Sequence, residues 1–339
     1  MKKIWGIMAY LSRNQWVPLY DEVSCADDFW DYLIEQCEAN GINAILLDVG
    51  DGVQYSRHPE LALKDSWSAE RVHQEVQKCR AKGIEIIPKV NFSSYHSFWL
   101  KDYFRMLSSS VYYTVCHDII EEIYEIFDKP KYIHIGMDEE NYHMLQKFDY
   151  IAFRKGELLM HDLKFMIDEV NKLGAKPIMW ADTFLDQPDT FASHIPADDV
   201  ILMPWYYHAF KREHSTPFDF FWNLLGLEES VHYADTGEYK QGRRFIEDRA
   251  ENVKFRETAA PYMKYGYKYI PTPSVWGGND YNTEELVEYF HEGTPSEDQL
   301  LGFITAPWGR VSTFEAKERF DKSIKLLKEA REKFYPEEK

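Results

Sequence analysis

Eight short runs of apolar and β-branched residues recur along this chain, and between them lie longer stretches whose apolar residues return every three to four positions. The runs are Ile4–Tyr10, Asn43–Val49, Glu85–Asn91, Tyr132–Met137, Lys176–Asp182, Val200–Tyr206, Tyr269–Trp276 and Gly302–Trp308. The periodic stretches are Asp27–Ala39, Ala69–Lys82, Val115–Phe127, Glu157–Leu173, Thr283–Phe290 and Phe314–Phe334. Glycines at Asn40-Gly41, Lys82-Gly83 and Leu173-Gly174 stand just past a last helical turn, where a left-handed residue is wanted. Strand then helix, eight times over, predicts parallel strands covered by crossover helices. A doubly wound open sheet is the rival, but it would carry a glycine-rich phosphate loop after its first strand, and none follows Tyr10. The expectation is therefore α/β, a single (β/α)8 TIM barrel over residues 1–339, a length that suits about 250 barrel residues plus insertions.

Two connections exceed barrel norms: Phe92 to Thr114 after strand three, and an insertion at about 207–267 after strand six. Both belong to the face where barrel sites form. The insertion holds Phe218–Trp222 and the charged run Arg243–Lys254, which read as helical, as a lid or an oligomer contact.

Charge narrows the function classes. A formal net charge of −18 repels nucleic-acid phosphates and anionic lipid, and no Lys/Arg cluster is sustained outside the C-terminal helix. No apolar run nears the ~20 residues needed to span a bilayer. MKKIWGIMAYLSRN reads as a buried first strand rather than a leader. Cys25, Cys37, Cys79 and Cys116 lack CxxC spacing and read as reduced thiols, which favours a cytoplasmic location, no metal site and no cofactor. Homo-oligomerisation is left open.

Aromatic residues are 16% of the chain, and Trp180, Trp205, Trp276 and Trp308 all fall at the ends of strands five to eight. Together they would make an aromatic wall on which sugar CH faces stack. The ends of barrel strands line the pocket, and strand four ends Tyr132-Ile-His-Ile-Gly-Met-Asp138-Glu139-Glu140. Three consecutive carboxylates can cap a following helix; their neighbours point to chemistry instead.

His134-Ile-Gly-Met-Asp138-Glu139 resembles the His-x-Gly-x-Asp-Glu signature of glycoside hydrolase family 20, the β-N-acetylhexosaminidases. Gly83-Ile-Glu-Ile-Ile-Pro88-Lys-Val-Asn91, followed by His96, is similar to that family's third strand, Pro177-Ile-Met-Trp180-Ala-Asp182 to its fifth, and Pro307-Trp308 to its eighth. The likeness runs over roughly residues 43 to 182, is patchy beyond, and omits the extra N-terminal domain of many members. It implies a substrate-assisted retaining mechanism in which the sugar's 2-acetamido oxygen attacks the anomeric carbon. Glu139 would be general acid and then base, and Asp138 would orient the acetamido group and stabilise the oxazolinium charge. His134 would support the site from inside the barrel.

The resemblance implies a small oligosaccharide or glycoconjugate substrate, with Asn91, His96, Asp182 and the four tryptophans in the binding site. Tyr206, Tyr207 and Tyr281 compete to bond the acetamido carbonyl. An ordinary double displacement would need a carboxylate at the end of strand seven, where only Asp280, beyond Gly277-Gly278, offers one.

The departures are specific. Strand one, Trp5-Gly-Ile-Met-Ala-Tyr10, lacks the family's usual arginine, and Arg13 comes three residues later. Lys89 and Asn91 stand where strand three usually has Glu and Asp. Trp308-Gly-Arg310 replaces Trp-x-Glu, so Arg310, with Lys89, is expected to favour a sugar bearing carboxylate or sulfate. The alternatives are a non-catalytic or highly specialised carbohydrate-binding barrel and a retaining glycosidase for another sugar. A metal-dependent hydrolase would want His-x-His on strand one, which is missing.

Overall fold

The computed structural model describes residues 2–15, 20–140, 154–207, 214, 259–294, 298–308 and 314–338. Most of the 207–267 insertion, including Phe218–Trp222 and Arg243–Lys254, lies outside the described residues. Eight parallel strands form one sheet: β1 (Ile4–Tyr10), β2 (Ala44–Asp48), β3 (Glu85–Lys89), β4 (Tyr132–His134), β5 (Lys176–Trp180), β6 (Ile201–Met203), β7 (Lys268–Tyr269) and β8 (Gly302–Thr305). Their order runs β7-β6-β5-β4-β3-β2-β1-β8. The two ends of that order meet: Tyr269 bridges Leu300 in parallel, Leu301 N–H donates to the Tyr269 carbonyl at 3.0 Å, and Ala306 N–H to that of Pro273 at 2.9 Å. The expected (β/α)8 barrel is what the chain forms.

The helices follow from apolar spacing and caps. In α1 (Asp27–Ala39) Phe29, Trp30, Leu33, Ile34 and Cys37 are buried, one stripe of a 3.6-residue period. Ser68 caps α2 (Ala69–Ala81), its hydroxyl accepting from Arg71 N–H at 3.2 Å. Ser109 does the same for α3 (Ser110–Ile126) through Tyr112 N–H, so this helix starts five residues before the expected Val115. The next helices are α4 (Glu157–Lys172), the short α5 (Asp182–Asp186) and α6 (Pro188–His194), then α7 (Ala260–Tyr265), α8 (Asn282–Gly293) and α9 (Phe314–Phe334). The sequence pattern did not announce α5 to α7, each of seven residues or fewer.

Every strand except β1 is shorter than its apolar run, and for β7 and β4 the cause is plain. Beyond Tyr269 the chain stays extended, but Pro271 and Pro273 have no N–H for the ladder, so regular pairing stops. Beyond His134 the backbone leaves the β region, with φ of +76° at Gly136 and +71° at Met137. At the opposite end, Gly302 opens β8 with φ +145°, and a Cβ there would lie 2.0 Å from the Ile4 carbonyl oxygen, so glycine lets β8 close onto β1.

The four cysteines are free and buried. No described helix is long and apolar enough to cross a membrane.

Candidate active site

Tyr10, Asp48, Lys89 and His134 are register partners across β1 to β4, one polar row at the C-terminal end of the barrel. Asp48 and Lys89 pair as ions with 1% of each side chain exposed, and Gln15 Nε2 donates to the same Asp48 oxygen at 2.7 Å. Burial pushes the Asp48 carboxyl up, opposed by Lys89. His134 Nδ1 accepts from Gly136 N–H at 2.9 Å, which leaves its proton on Nε2. Burial, and then the Lys89 charge, hold His134 neutral, with its value well below the ordinary one. Trp180 packs edge-on against it, 4.9 Å between ring centres.

Above this row the chain folds back to present its carboxylates. Met137 and Glu139 both take positive φ, which for non-glycine residues costs on the order of 1–3 kcal/mol each unless the surroundings enforce it. Asn91 supplies much of that enforcement. Its Oδ1 accepts from Ser93 N–H at 3.1 Å and Met137 N–H at 3.2 Å, while its Nδ2 donates to Asp138 Oδ1 at 2.7 Å. A Cβ on Gly136 would sit 2.0 Å from Asn91 Oδ1, so only glycine admits this amide.

His96 joins the two carboxylates. Its Nε2 lies 3.2 Å from Asp138 Oδ2 and 3.0 Å from Glu139 Oε2. Burial alone would disfavour the imidazolium, but Asp138 and then Glu139 outweigh it and lift His96 to about 9. Burial likewise works against the Asp138 carboxylate, yet His96, Lys89 and the Asn91 bond hold it well below the usual range. Asp138 is thus a fixed anion with 11% of its side chain exposed, and Glu139 beside it keeps 25%. A proton carrier beside a held anion suits acid–base chemistry on a substrate whose positive charge grows during reaction.

Aromatic side chains enclose the rest. Trp308 lies 5.8 Å from Tyr10, 6.2 Å from Trp180 and 5.9 Å from Tyr207 between ring centres. Tyr207 also meets Trp276 at 6.4 Å and stacks on Trp205 at 5.1 Å. Trp205 Nε1 donates to Asp182 at 2.8 Å. Burial, then the Asp138 charge, raise the Asp182 carboxyl to about 7, against the Trp205 bond.

Residues 99–309 match the family model described as "Glycosyl hydrolase family 20, catalytic domain", more than half of the chain. The chain belongs to this family. Among solved structures, Dispersin B is similar at 16% identity and a TM-score of 0.58, over 97% of this chain and 98% of that one. The family 20 β-N-acetylhexosaminidase of Streptomyces coelicolor A3(2) is similar at 14% identity and a TM-score of 0.59, over 96% of this chain and 64% of that one. The β-hexosaminidase of Streptomyces plicatus, a mutant solved in complex with product GlcNAc, gives 12% identity and a TM-score of 0.58, over 98% of this chain and 68% of that one. At these identities the likeness speaks for the barrel. No curated protein matches in sequence. Family membership makes the chain a glycoside hydrolase.

For a family 20 barrel, the strand-end residues fall into three groups. Asp138, Glu139, His96 and Asn91 are joined by direct contacts, and Trp180, Trp205, Trp276, Trp308, Tyr207 and Asp182 by the ring contacts and bond above. Trp180 is 1% exposed and Trp205 and Trp276 are 36% and 39% exposed, so Trp180 is floor and the other two are rim. Tyr281 stands apart: it is 49% exposed and stacks on His214 at 3.8 Å, with no described contact to the carboxylates. Asp280 is exposed and pairs with Lys322 of α9. Arg310 lies outside the described residues.

One expectation is corrected: Lys89 does not await an anionic substrate, because it is buried against Asp48. Arg13, which follows strand one, has its guanidinium 4.0 Å above the Tyr20 ring, and its backbone N–H donates to Asp51. Glu140, the third carboxylate, is bound by buried Arg154 and accepts from Ser94 N–H at 2.5 Å and Ser94 Oγ at 3.0 Å. Arg154 also reaches the Phe92 carbonyl at 2.7 Å and Asp162 at 3.3 Å, clamping the loops after β3 and β4 together. Tyr10, Asp48, Gln15 and Arg154 escaped the sequence reading. Asp48, the last polar residue of an apolar strand, carried the same strand-end signal as Asp138.

Proposed function

We propose that this family 20 hydrolase is an exo-acting β-N-acetylhexosaminidase that cleaves small oligosaccharides or glycoconjugates by substrate-assisted retention. The observation that carries the reading is the pairing of a buried, held anion, Asp138, with the more accessible Glu139 across one imidazolium. In the first step Glu139 protonates the glycosidic oxygen while the substrate's acetamido oxygen attacks the anomeric carbon, releasing the alcohol. Asp138 accepts the acetamido N–H and offsets the charge of the oxazolinium ion. Glu139, now the base, takes a proton from water, which opens the ring and returns the β configuration. Tyr207, buried beside Trp308, is the tyrosine best placed to meet the acetamido group, and Trp205 and Trp276 form the rim for the leaving sugar. Arg310 is assigned to an anionic substituent on the sugar.

A specific observation keeps a second reading in view: Asp182 is a carboxyl near the same centre and could serve a retaining enzyme as nucleophile. Its value near 7 and its bond from Trp205 make it a poor one at neutral pH.

The test is hydrolysis of aryl β-glycosides of GlcNAc and GalNAc, neutral and 6-sulfated, and of an N-trifluoroacetyl analogue. Glu139→Gln is expected to lower kcat by about 10²–10⁴-fold. The fluorinated acetamido group, a weaker nucleophile, should slow the native enzyme severely. Equal rates on acetyl and trifluoroacetyl substrates would instead point to Asp182, and an active Glu139→Gln variant would remove the acid assignment.

A further inference from the structure

At the other end of the barrel, where β8, β1, β2, β3 and β4 begin, lies a cavity of about 570 Å³ lined by Lys2, Lys3, Arg80, Lys129 and Lys131. Glu85 is the one carboxylate in that lining, and Arg80 contacts it at 3.4 Å while also pairing with Asp128. Among the described residues Lys2, Lys3, Lys129 and Lys131 form no ion pair. Lys3 is 6% exposed, yet its ammonium is met by a carbonyl, that of Leu300 at 3.1 Å, and by the Tyr335 ring at 5.5 Å. Buried ammonium groups are ordinarily matched by an anion. Lys129 is carried into the lining by a left-handed turn, with φ +56° at Asp128 and +54° at Lys129. Lys2, Lys129 and Lys131 are exposed and Lys3 is buried, and this concentration of positive charge around one hollow stands out in a chain whose formal net charge is −18.

We propose that this cavity binds a compact, multiply charged anion of the di- or triphosphate class. Ammonium groups on flexible stems are point charges suited to phosphate oxygens arranged in three dimensions, whereas flat carboxylates favour the guanidinium fork. The volume lies within the range of small-molecule sites. A long polyanion is disfavoured, because it would extend over an acidic surface. The carboxylate pair stands at the opposite ends of the strands, roughly 15–20 Å away along the barrel, so occupancy acts on stability and not on the bonds being broken.

Titration calorimetry and thermal unfolding with inorganic tripolyphosphate, at low ionic strength, test this without reference to the hydrolysis. Expected are saturable one-to-one binding, a rise in Tm with concentration, and weaker binding of inorganic monophosphate. Lys2→Gln with Lys131→Gln should weaken tripolyphosphate at least about tenfold. Lys325→Gln with Lys328→Gln on α9 should leave it unchanged, and neither pair should alter glycoside hydrolysis. Lys129→Gln is an independent variant should the first pair fold poorly. Absence of saturable binding, or equal weakening by the α9 pair, overturns the proposal.

Discussion

Lys89 and Asp48 face each other at the tips of β3 and β2, and each is almost wholly withdrawn from water. Replacing Lys89 by Met strands a buried carboxylate, a change that typically costs about 3–5 kcal/mol. Lys89→Met is therefore expected to lower stability strongly in urea unfolding, while Lys89→Met combined with Asp48→Leu should regain much of the loss, as a double-mutant cycle reveals. The same cation helps keep Asp138 ionised. Its removal should move the acid limb of the hydrolysis profile to higher pH, and an unmoved limb would disconnect Lys89 from the site. Residue type alone pointed Lys89 at an anionic substrate; burial and the register partner Asp48 gave it another task.

At the scale of elements, the loop after β4 decides where the carboxylates point. Gly136→Ala places a methyl group on top of Asn91 and forces a side chain into φ +76°. The Asn91 bond to Asp138 should be lost with it, so the expected result is a fall of at least about 2 kcal/mol in stability and a larger loss of kcat than of substrate affinity. Wild-type kcat in a stably folded Gly136→Ala protein would contradict this account. Arg154→Met tests the neighbouring clamp: it leaves Glu140 and Asp162 buried without their cation, with an expected loss of about 3–5 kcal/mol. The signature residues were legible because strand ends are where apolar runs stop. The fold-back was not, since Met137 and Glu139 carry no local preference for positive φ, and the contacts that hold the turn come from the loop after β3: Asn91 to Met137 N–H and Asp138, and His96 to Glu139.

Across the whole molecule, several groups near the pocket bind a proton more tightly when folded, His96 and Asp182 among them. His96 is lifted to about 9 and Asp182 to about 7. The folded state thus holds an extra proton between about pH 4 and 7 on Asp182 and between about pH 6.5 and 9 on His96, and through both windows stability falls as pH rises. Asp138 has the opposite sign: its contribution is present above about pH 4 and is lost as the pH falls through its depressed value. Thermal midpoints should therefore peak on the acid side of neutrality and decline towards pH 9, and His96→Asn should flatten the upper half of that decline. A native profile that rises between pH 6.5 and 9 would refute the assignment of His96 as an imidazolium between two carboxylates.

Period and punctuation in the chain were enough for the eight strands, most helices and the closed barrel, because backbone geometry follows from local spacing of apolar residues and from glycine and serine at helix ends; the Asp138-Glu139 pair was legible through its resemblance to a family signature at a strand end. Contacts between residues far apart along the chain were beyond that reach. The Asp48–Lys89 pair, the hold of Asn91 on Asp138 and the Arg154 clamp each join separate strands or loops, and the basic cavity gathers Lys2, Arg80 and Lys131 from three distant segments where no lysine cluster is visible in sequence. Burial and long-range electrostatics are properties of proximity, and proximity between strands exists only once the barrel has closed.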